Sequence, residues 1–172
     1  MNLQSNDFEL FDLPQQFAQD RATVDARWKA LQRQAHPDRF ADQGAAAQRV
    51  AMQWSVRINE AYQRLKNPVS RAAYLCELRG APVNAERNTQ MPASFLMQQM
   101  VWRETLDEAD TDESLDALAT EVRQAHRMQL EELARLLDQV QDPVAAVAVV
   151  RALMFIERFQ RDIETRQDQR GQ

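Results

Sequence analysis

The sequence predicts an all-α protein with two helical modules. Its 172 residues include only three Gly and six Pro, which is few for a chain with many tight turns. Apolar residues recur every three or four positions over long stretches, the periodicity of amphipathic helices. A polar stretch without this periodicity, residues 80–91, separates two such regions. We therefore predict a first domain over 1–79, a linker over 80–91 and a second domain over 92–172.

The first module is predicted to be an antiparallel helical hairpin with short flanking helices. Its first long helix ends before Pro37, because proline disfavours the helical conformation of the preceding residue. The apolar stripes consist of Val24, Trp28, Leu31 and Ala35 in the first helix and Ala51, Trp54, Ile58, Ala61 and Leu65 in the second. We expect the hairpin to bury both tryptophans. Phe8, Phe11 and Tyr74, from short flanking helices, should cover its ends.

The second module is predicted to be a three-helix bundle. The predicted helices run from near Pro92 to Glu108, from a capping box at Asp110 and Glu113 to near Gln141, and from Asp142-Pro143 to near Arg166. Apolar residues repeat every three or four positions along the middle helix, and the last helix carries a matching stripe. The three helices can therefore share one core.

Composition narrows the possible functions. Cys76 is the single cysteine, and with only two histidines the sequence offers neither an internal disulfide nor a multi-cysteine metal site. We predict no metal and no cofactor. No extended, concentrated stripe of basic residues of the kind that binds nucleic acids is present, so nucleic-acid binding is not expected. No apolar run approaches the roughly 18 residues of a membrane span, and no leader pattern opens the chain. We expect a cytoplasmic protein.

The tripeptide His36-Pro37-Asp38 directly follows the first long helix. Pro37 restricts the backbone, so the flanking polar side chains can be presented to a partner with little ordering cost. A structural histidine at a helix end is the alternative interpretation. Catalysis by this tripeptide is not favoured, because no nucleophile motif accompanies it.

A basic strip precedes the tripeptide on the same helix. Lys29 and Arg33 lie four residues apart on the face opposite the apolar stripe, and Arg27 extends the strip. Residues 1–80 carry 11 basic and 9 acidic side chains, whereas residues 81–172 carry 10 and 17. The two modules thus present different surfaces. Partner contact and a merely solvated face are both open interpretations of the strip.

Further motifs surround the tripeptide. They are Asn59-Glu60-Ala61-Tyr62, Leu65-Lys66-Asn67-Pro68 and Arg71-Ala72-Ala73-Tyr74-Leu75. With His36-Pro37-Asp38 they resemble the J domain of DnaJ-type proteins over residues 6–78. The resemblance implies that the strip of Arg27, Lys29 and Arg33 meets an acidic surface on a DnaK-type ATPase chaperone. It also implies that the tripeptide triggers ATP hydrolysis there.

The first helix of the second module has two apolar faces. Phe95, Gln99, Trp102 and Leu106 lie within about 40° of one direction at 100° per residue. Leu96, Met97, Met100 and Val101 point roughly the opposite way. A three-helix bundle covers only one of these faces, so the second is a candidate partner site. Packing against the first module is the alternative. Phe155 and Phe159 lie at the edge of the last helix's stripe, where either a wide core or an interface would place them.

The run from Phe95 to Glu104, in a bundle that follows a J domain, resembles HscB, the co-chaperone of iron–sulfur cluster assembly. This resemblance implies a non-enzymatic adaptor that brings an IscU-type scaffold to an HscA-type chaperone. The scaffold contacts implied are Leu96, Met97, Met100, Val101, Arg103, Glu104 and Phe155. Val101 is apolar where the family pattern often has an acidic residue. The alternatives are a J-domain co-chaperone for another client and an enzyme that uses His36, Asp38 or Cys76.

Overall fold

A computed structural model describes residues 2–84 and 91–171. Every regular element within these residues is helical, which confirms the all-α prediction. The chain divides into two compact units, Met1–Leu75 and Cys76–Gln172. Residues 85–90 of the predicted linker lie outside the described residues, and the predicted domain limits stay a prediction. Among the described residues, no helix is long and apolar enough to cross a membrane.

The first unit contains the predicted helical hairpin. Its helices are α1 (Asp7–Leu10), α2 (Arg21–Ala35) and α3 (Ala45–Lys66), and a 3₁₀ turn at Pro37–Phe40 joins α2 to α3. The next helix, α4 (Pro68–Leu78), belongs to this unit up to Leu75. The side chain of Asn67 caps α4, because its Oδ1 accepts a hydrogen bond from the backbone N–H of Val69 at 2.8 Å.

Smaller side chains than predicted form the core of the hairpin. Val24 and Ile58 are fully buried, whereas Trp28, Leu31 and Trp54 are only half-buried. The prediction that both tryptophans are buried is therefore wrong. Trp28 lies flat against Tyr62, with ring centroids 4.6 Å apart. Its indole N–H needs an acceptor, and Asn59 Oδ1 at 2.9 Å supplies one at the edge of the hairpin.

A buried carboxylate attaches α1 to α3. Phe8 and Phe11 are buried as predicted, and the carboxylate of Asp7 is fully buried beside them. Asp7 Oδ2 accepts a hydrogen bond from Arg64 Nε at 2.6 Å. Its Oδ1 lies 2.7 Å from Arg57 Nη1, an ion pair without hydrogen-bond alignment. Two arginines compensate the buried charge, which would otherwise be costly.

The second unit contains the predicted three-helix bundle. Its helices are α5 (Ala93–Glu108), α6 (Asp112–Ala134), which continues as a π-helical segment over Arg135–Val140, and α7 (Pro143–Arg170). Trp102 and Leu106 of α5 pack with α6 and α7 in one core. Phe159 is fully buried in that core. The apolar stripe of α7 is therefore wide, which decides between the two interpretations of Phe159.

The ends of the bundle helices differ from the predicted ones. The capping box of α6 is formed by Thr111 and Ser114 rather than by Asp110 and Glu113. Thr111 Oγ1 accepts a hydrogen bond from the Ser114 backbone N–H at 3.0 Å, and Ser114 Oγ accepts one from the Thr111 N–H at 3.3 Å. A serine thus stands at the position where this motif usually has Glu or Gln. At the other end, α7 continues to Arg170.

Candidate functional site

The tripeptide lies at the end of α2 as a short exposed turn. His36 has an extended backbone and Pro37 begins the 3₁₀ turn, as expected for a residue that precedes proline. His36 Nδ1 accepts a hydrogen bond from the Asp38 N–H at 3.3 Å. The side chains of His36 and Asp38 are 57% and 91% exposed. The backbone is thus locally ordered while both polar side chains can reach a partner.

Arg39 ties the turn to the preceding helix. Its Nη1 donates a hydrogen bond to the backbone carbonyl of Arg33 at 3.2 Å. This contact also satisfies a carbonyl in the last turn of α2, where the helix leaves its carbonyls without internal partners. The sequence does not indicate this contact, because a side-chain-to-backbone bond across a turn has no periodic pattern.

The basic strip is exposed along α2. Arg27, Lys29 and Arg33 are all exposed, and Lys29 and Arg33 line a shallow groove with Trp28 and neighbouring polar residues. Arg27 differs from the other two, because its Nη2 lies 3.3 Å from the Asp12 carboxylate. Its charge is therefore partly compensated within the unit. Lys29 and Arg33 are the stronger candidates for contact with an acidic partner.

The second face of α5 is open to solvent. The exposed fractions are 44% for Leu96, 67% for Met97, 65% for Met100 and 54% for Val101. Large apolar side chains that are exposed side by side are unusual on a monomer and are typical of interfaces. Methionine side chains adapt to irregular partner surfaces, since they are unbranched and flexible. We call these four residues the α5 patch.

A groove beside this patch joins residues of α5 and α7. It is lined by Leu96, Gln99, Met100, Arg103, Glu104 and Phe155. The structure thus brings together five of the seven residues that the resemblance implied. Met97 and Val101 do not line the groove and lie further round the exposed side of α5. Gln99, which the sequence places on the core face, is an additional lining residue.

Arg103 lies over the aromatic wall of the groove. Its guanidinium carbon is 5.7 Å from the ring centroid of Phe155 and 5.3 Å from that of Phe159, within the range of cation–π contacts. Its Nη1 donates a hydrogen bond to Asp162 Oδ2 at 3.0 Å. Sequence reasoning missed Asp162. The available signal was its position seven residues after Phe155, two turns along the same face of α7.

Cys76 does not have the properties of a nucleophile. It is fully buried, and burial raises the pKa of its thiol to about 11. The thiol is therefore protonated at neutral pH, whereas a reactive cysteine needs its thiolate. In the described part of the chain, no three histidine, cysteine or acidic residues are grouped so that they could hold a metal ion.

The first unit is a helical hairpin with an exposed His-Pro-Asp turn between its two long helices, and the chain also has a separate three-helix unit. This arrangement is that of a J-domain co-chaperone. Residues 91–164 match the family described as the HSCB C-terminal oligomerisation domain. A protein of Burkholderia thailandensis described as a co-chaperone protein HscB homolog is 52% identical over 166 residues, covering 95% of this chain and 94% of its own. This chain therefore belongs to the HscB family of co-chaperones.

Solved structures have the same fold. Chaperone HscB from Vibrio cholerae is 37% identical, with a TM-score of 0.83 over 96% of this chain and 99% of its own. Human co-chaperone HscB shares the fold with a TM-score of 0.90 at 23% identity, covering 97% of this chain and 84% of its own. These similarities confirm the two-module, all-α prediction.

Proposed function

We propose that this protein is a non-enzymatic adaptor of iron–sulfur cluster assembly. It binds an IscU-type scaffold through the second unit and brings it to an HscA/DnaK-type chaperone, whose ATPase the first unit stimulates. The observation that carries the proposal is the exposed α5 patch beside the groove of Arg103 and Phe155. The core of the bundle leaves this surface open. The residues of the surface are those to which the resemblance to HscB assigns contact with the scaffold. We also propose that the adaptor acts in the cytoplasm.

The size of the patch suits a transient complex. Burying Leu96, Met97 and Met100 would contribute about 1.5–3 kcal/mol each. Association costs roughly 4–15 kcal/mol in lost freedom. The patch alone therefore supports a weak complex rather than a permanent one, which is appropriate for an adaptor that must release its scaffold to the chaperone.

The surface around His36 suits a different partner. Lys29 and Arg33 are exposed near the tripeptide, and a positive strip accelerates encounter with an acidic surface. Exposed charges are screened by salt over about 8 Å at physiological ionic strength. We therefore expect chaperone stimulation to weaken as salt rises, while scaffold binding through the apolar patch changes less.

Separate variants test the two halves of this proposal. His36→Gln should abolish ATPase stimulation and leave scaffold binding intact. The triple variant with alanine at Leu96, Met97 and Met100 should bind the scaffold at least tenfold more weakly. It should still stimulate the chaperone ATPase normally when the scaffold is absent. The control is Met128→Ala, because Met128 is equally exposed, at 64%, on another helix. Equal stimulation by the wild type and His36→Gln would contradict the chaperone half.

The second candidate function is that of a J-domain co-chaperone that binds a different client through the same α5 patch. The exposed α5 patch could hold any apolar segment, since its contacts lack directional hydrogen bonds. Titration of the wild type with purified IscU-type scaffold separates the two functions. Binding that the triple alanine variant loses supports the scaffold, and absence of binding by the wild type favours another client.

A further inference from the structure

Asp162 holds Arg103 at the rim of the groove. Arg103 Nη1 and Asp162 Oδ2 are 3.0 Å apart, and the two side chains are 48% and 42% exposed. The pair joins α5 to α7 directly beside the ring of Phe155. An ion pair this exposed contributes little to folding stability, because solvent screens both charges. Folding stability alone therefore does not explain why Asp162 is placed beside Arg103.

The ion pair uses only part of the guanidinium. Arginine has five N–H donors, and among the described residues the hydrogen bond of Arg103 is the one from Nη1 to Asp162. The remaining donors are available beside Leu96 and Met100, which line the same groove. A guanidinium can bind a carboxylate through two parallel hydrogen bonds. Arg103 can thus keep Asp162 and also bind an acceptor on a partner.

The two rings and the carboxylate restrict Arg103 together. A free arginine side chain loses rotamer freedom when a partner immobilises it, and this loss weakens binding. Contacts to Phe155, Phe159 and Asp162 impose part of this order before binding. A pre-ordered donor beside an apolar patch favours a partner segment in which a carboxylate or carbonyl oxygen lies next to apolar side chains.

We propose that Asp162 is a positioning residue for scaffold binding. It acts through Arg103, which it keeps over the rings of Phe155 and Phe159 so that the remaining guanidinium donors meet an oxygen acceptor of the scaffold. This inference rests on the proposed function, because it concerns the same groove. Asp162 itself need not contact the scaffold.

The test compares scaffold affinity across a double-mutant cycle. Asp162→Asn keeps the shape of the side chain and removes its charge, and it should weaken binding by about three- to tenfold, the range expected for ordering one long side chain. Arg103→Gln should also weaken binding. In the Arg103→Gln background, Asp162→Asn should have no further effect.

Asp112→Asn is the matched control. Asp112 pairs with Arg170 at 2.9 Å, so it also joins α7 to a neighbouring helix. Arg170 lies about four turns beyond Phe155, outside the groove. This variant should bind the scaffold with wild-type affinity.

NMR spectroscopy of the protein without the scaffold provides a second readout of the position of Arg103. Its side-chain proton signals should be shifted by the ring currents of Phe155 and Phe159 in the wild type, and Asp162→Asn should move them towards free-arginine positions. Unchanged affinity or tighter binding of Asp162→Asn, with a wild type that binds normally, would overturn this inference alone. A wild type that fails to bind the scaffold would overturn the proposed function and this inference with it.

Discussion

Trp102 of α5 stacks on Phe159 of α7, with ring centroids 5.8 Å apart and ring planes 10° apart. Both side chains are buried in the core of the bundle. Because residues on opposite sides of a helix point in opposite directions, this stack fixes the rotation of α5 about its axis. Met97 and Met100 consequently face solvent. The core contact thus determines which side chains the α5 patch presents.

Replacing Trp102 with alanine should destabilise the second unit and weaken scaffold binding. The loss of a buried tryptophan costs about 3–5 kcal/mol of unfolding free energy, because the cavity that remains is not refilled. Urea unfolding followed by far-UV circular dichroism measures this loss. Trp54→Ala is the control, since Trp54 is only half-buried in the first unit. A larger loss for Trp54→Ala than for Trp102→Ala would contradict the prediction.

The helices could be predicted because their signals are local. The predicted helix ending before Pro37 and the start of the last helix at Asp142-Pro143 match the structure, since proline restricts its immediate neighbours. The extent to which Trp28 is buried could not be predicted from its position in the apolar stripe of α2. Its depth depends on how far apart α2 and α3 lie, and periodicity along one helix does not contain that distance.

Asp7→Asn should destabilise the first unit strongly, although the two side chains have nearly the same size and shape. The change leaves Arg57 and Arg64 beside a neutral amide and removes the charge from the hydrogen bonds that the buried carboxylate accepts from Arg64, and each such charged hydrogen bond contributes about 1.5–3 kcal/mol. Thermal unfolding measures the change. Asp12→Asn is the control, because the side chain of Asp12 is 86% exposed beside Arg27 and should lose at most about 1 kcal/mol. Equal destabilisation by the two variants would contradict a special role for Asp7.

The cluster around Asp7 shows why sequence reasoning missed part of the fold. Asp7 and Arg64 are 57 residues apart, and no spacing rule connects positions so distant. The candidate site divides in the same way. The two faces of α5 follow from helical periodicity, whereas the contact of Arg103 with Asp162 depends on how α5 packs against α7.

Thr111→Ala should destabilise the second unit by about 0.5–2 kcal/mol, since Thr111 supplies the side-chain acceptor at the start of α6. Asp110→Ala should change the unfolding free energy by less than about 0.5 kcal/mol, as expected of an exposed residue outside the cap. Urea unfolding of both variants compares the observed cap with the one that the sequence predicted. A greater effect of Asp110→Ala would favour the predicted capping box.

Alkaline pH should destabilise the protein through Cys76. Burial raises the pKa of the folded thiol from 9.0 to about 11, so the folded state keeps a proton that the unfolded chain releases. The resulting stabilisation is fully present below pH 9 and is lost as the pH rises towards 11. Burial also raises the pKa of Tyr74, which contributes a loss in the same direction.

Comparison with Cys76→Ala isolates the thiol. The unfolding free energy of this variant should be lower than that of the wild type near pH 8, because removal of the buried sulfur leaves a small cavity. Its decline between pH 9 and pH 11 should be shallower, since only Tyr74 and other groups common to both proteins still titrate. Parallel declines in the two proteins would contradict the assignment to Cys76.

Alkylation of the native wild type at pH 8 should likewise be slow and should accelerate in denaturant, because the thiolate forms readily only when the chain unfolds.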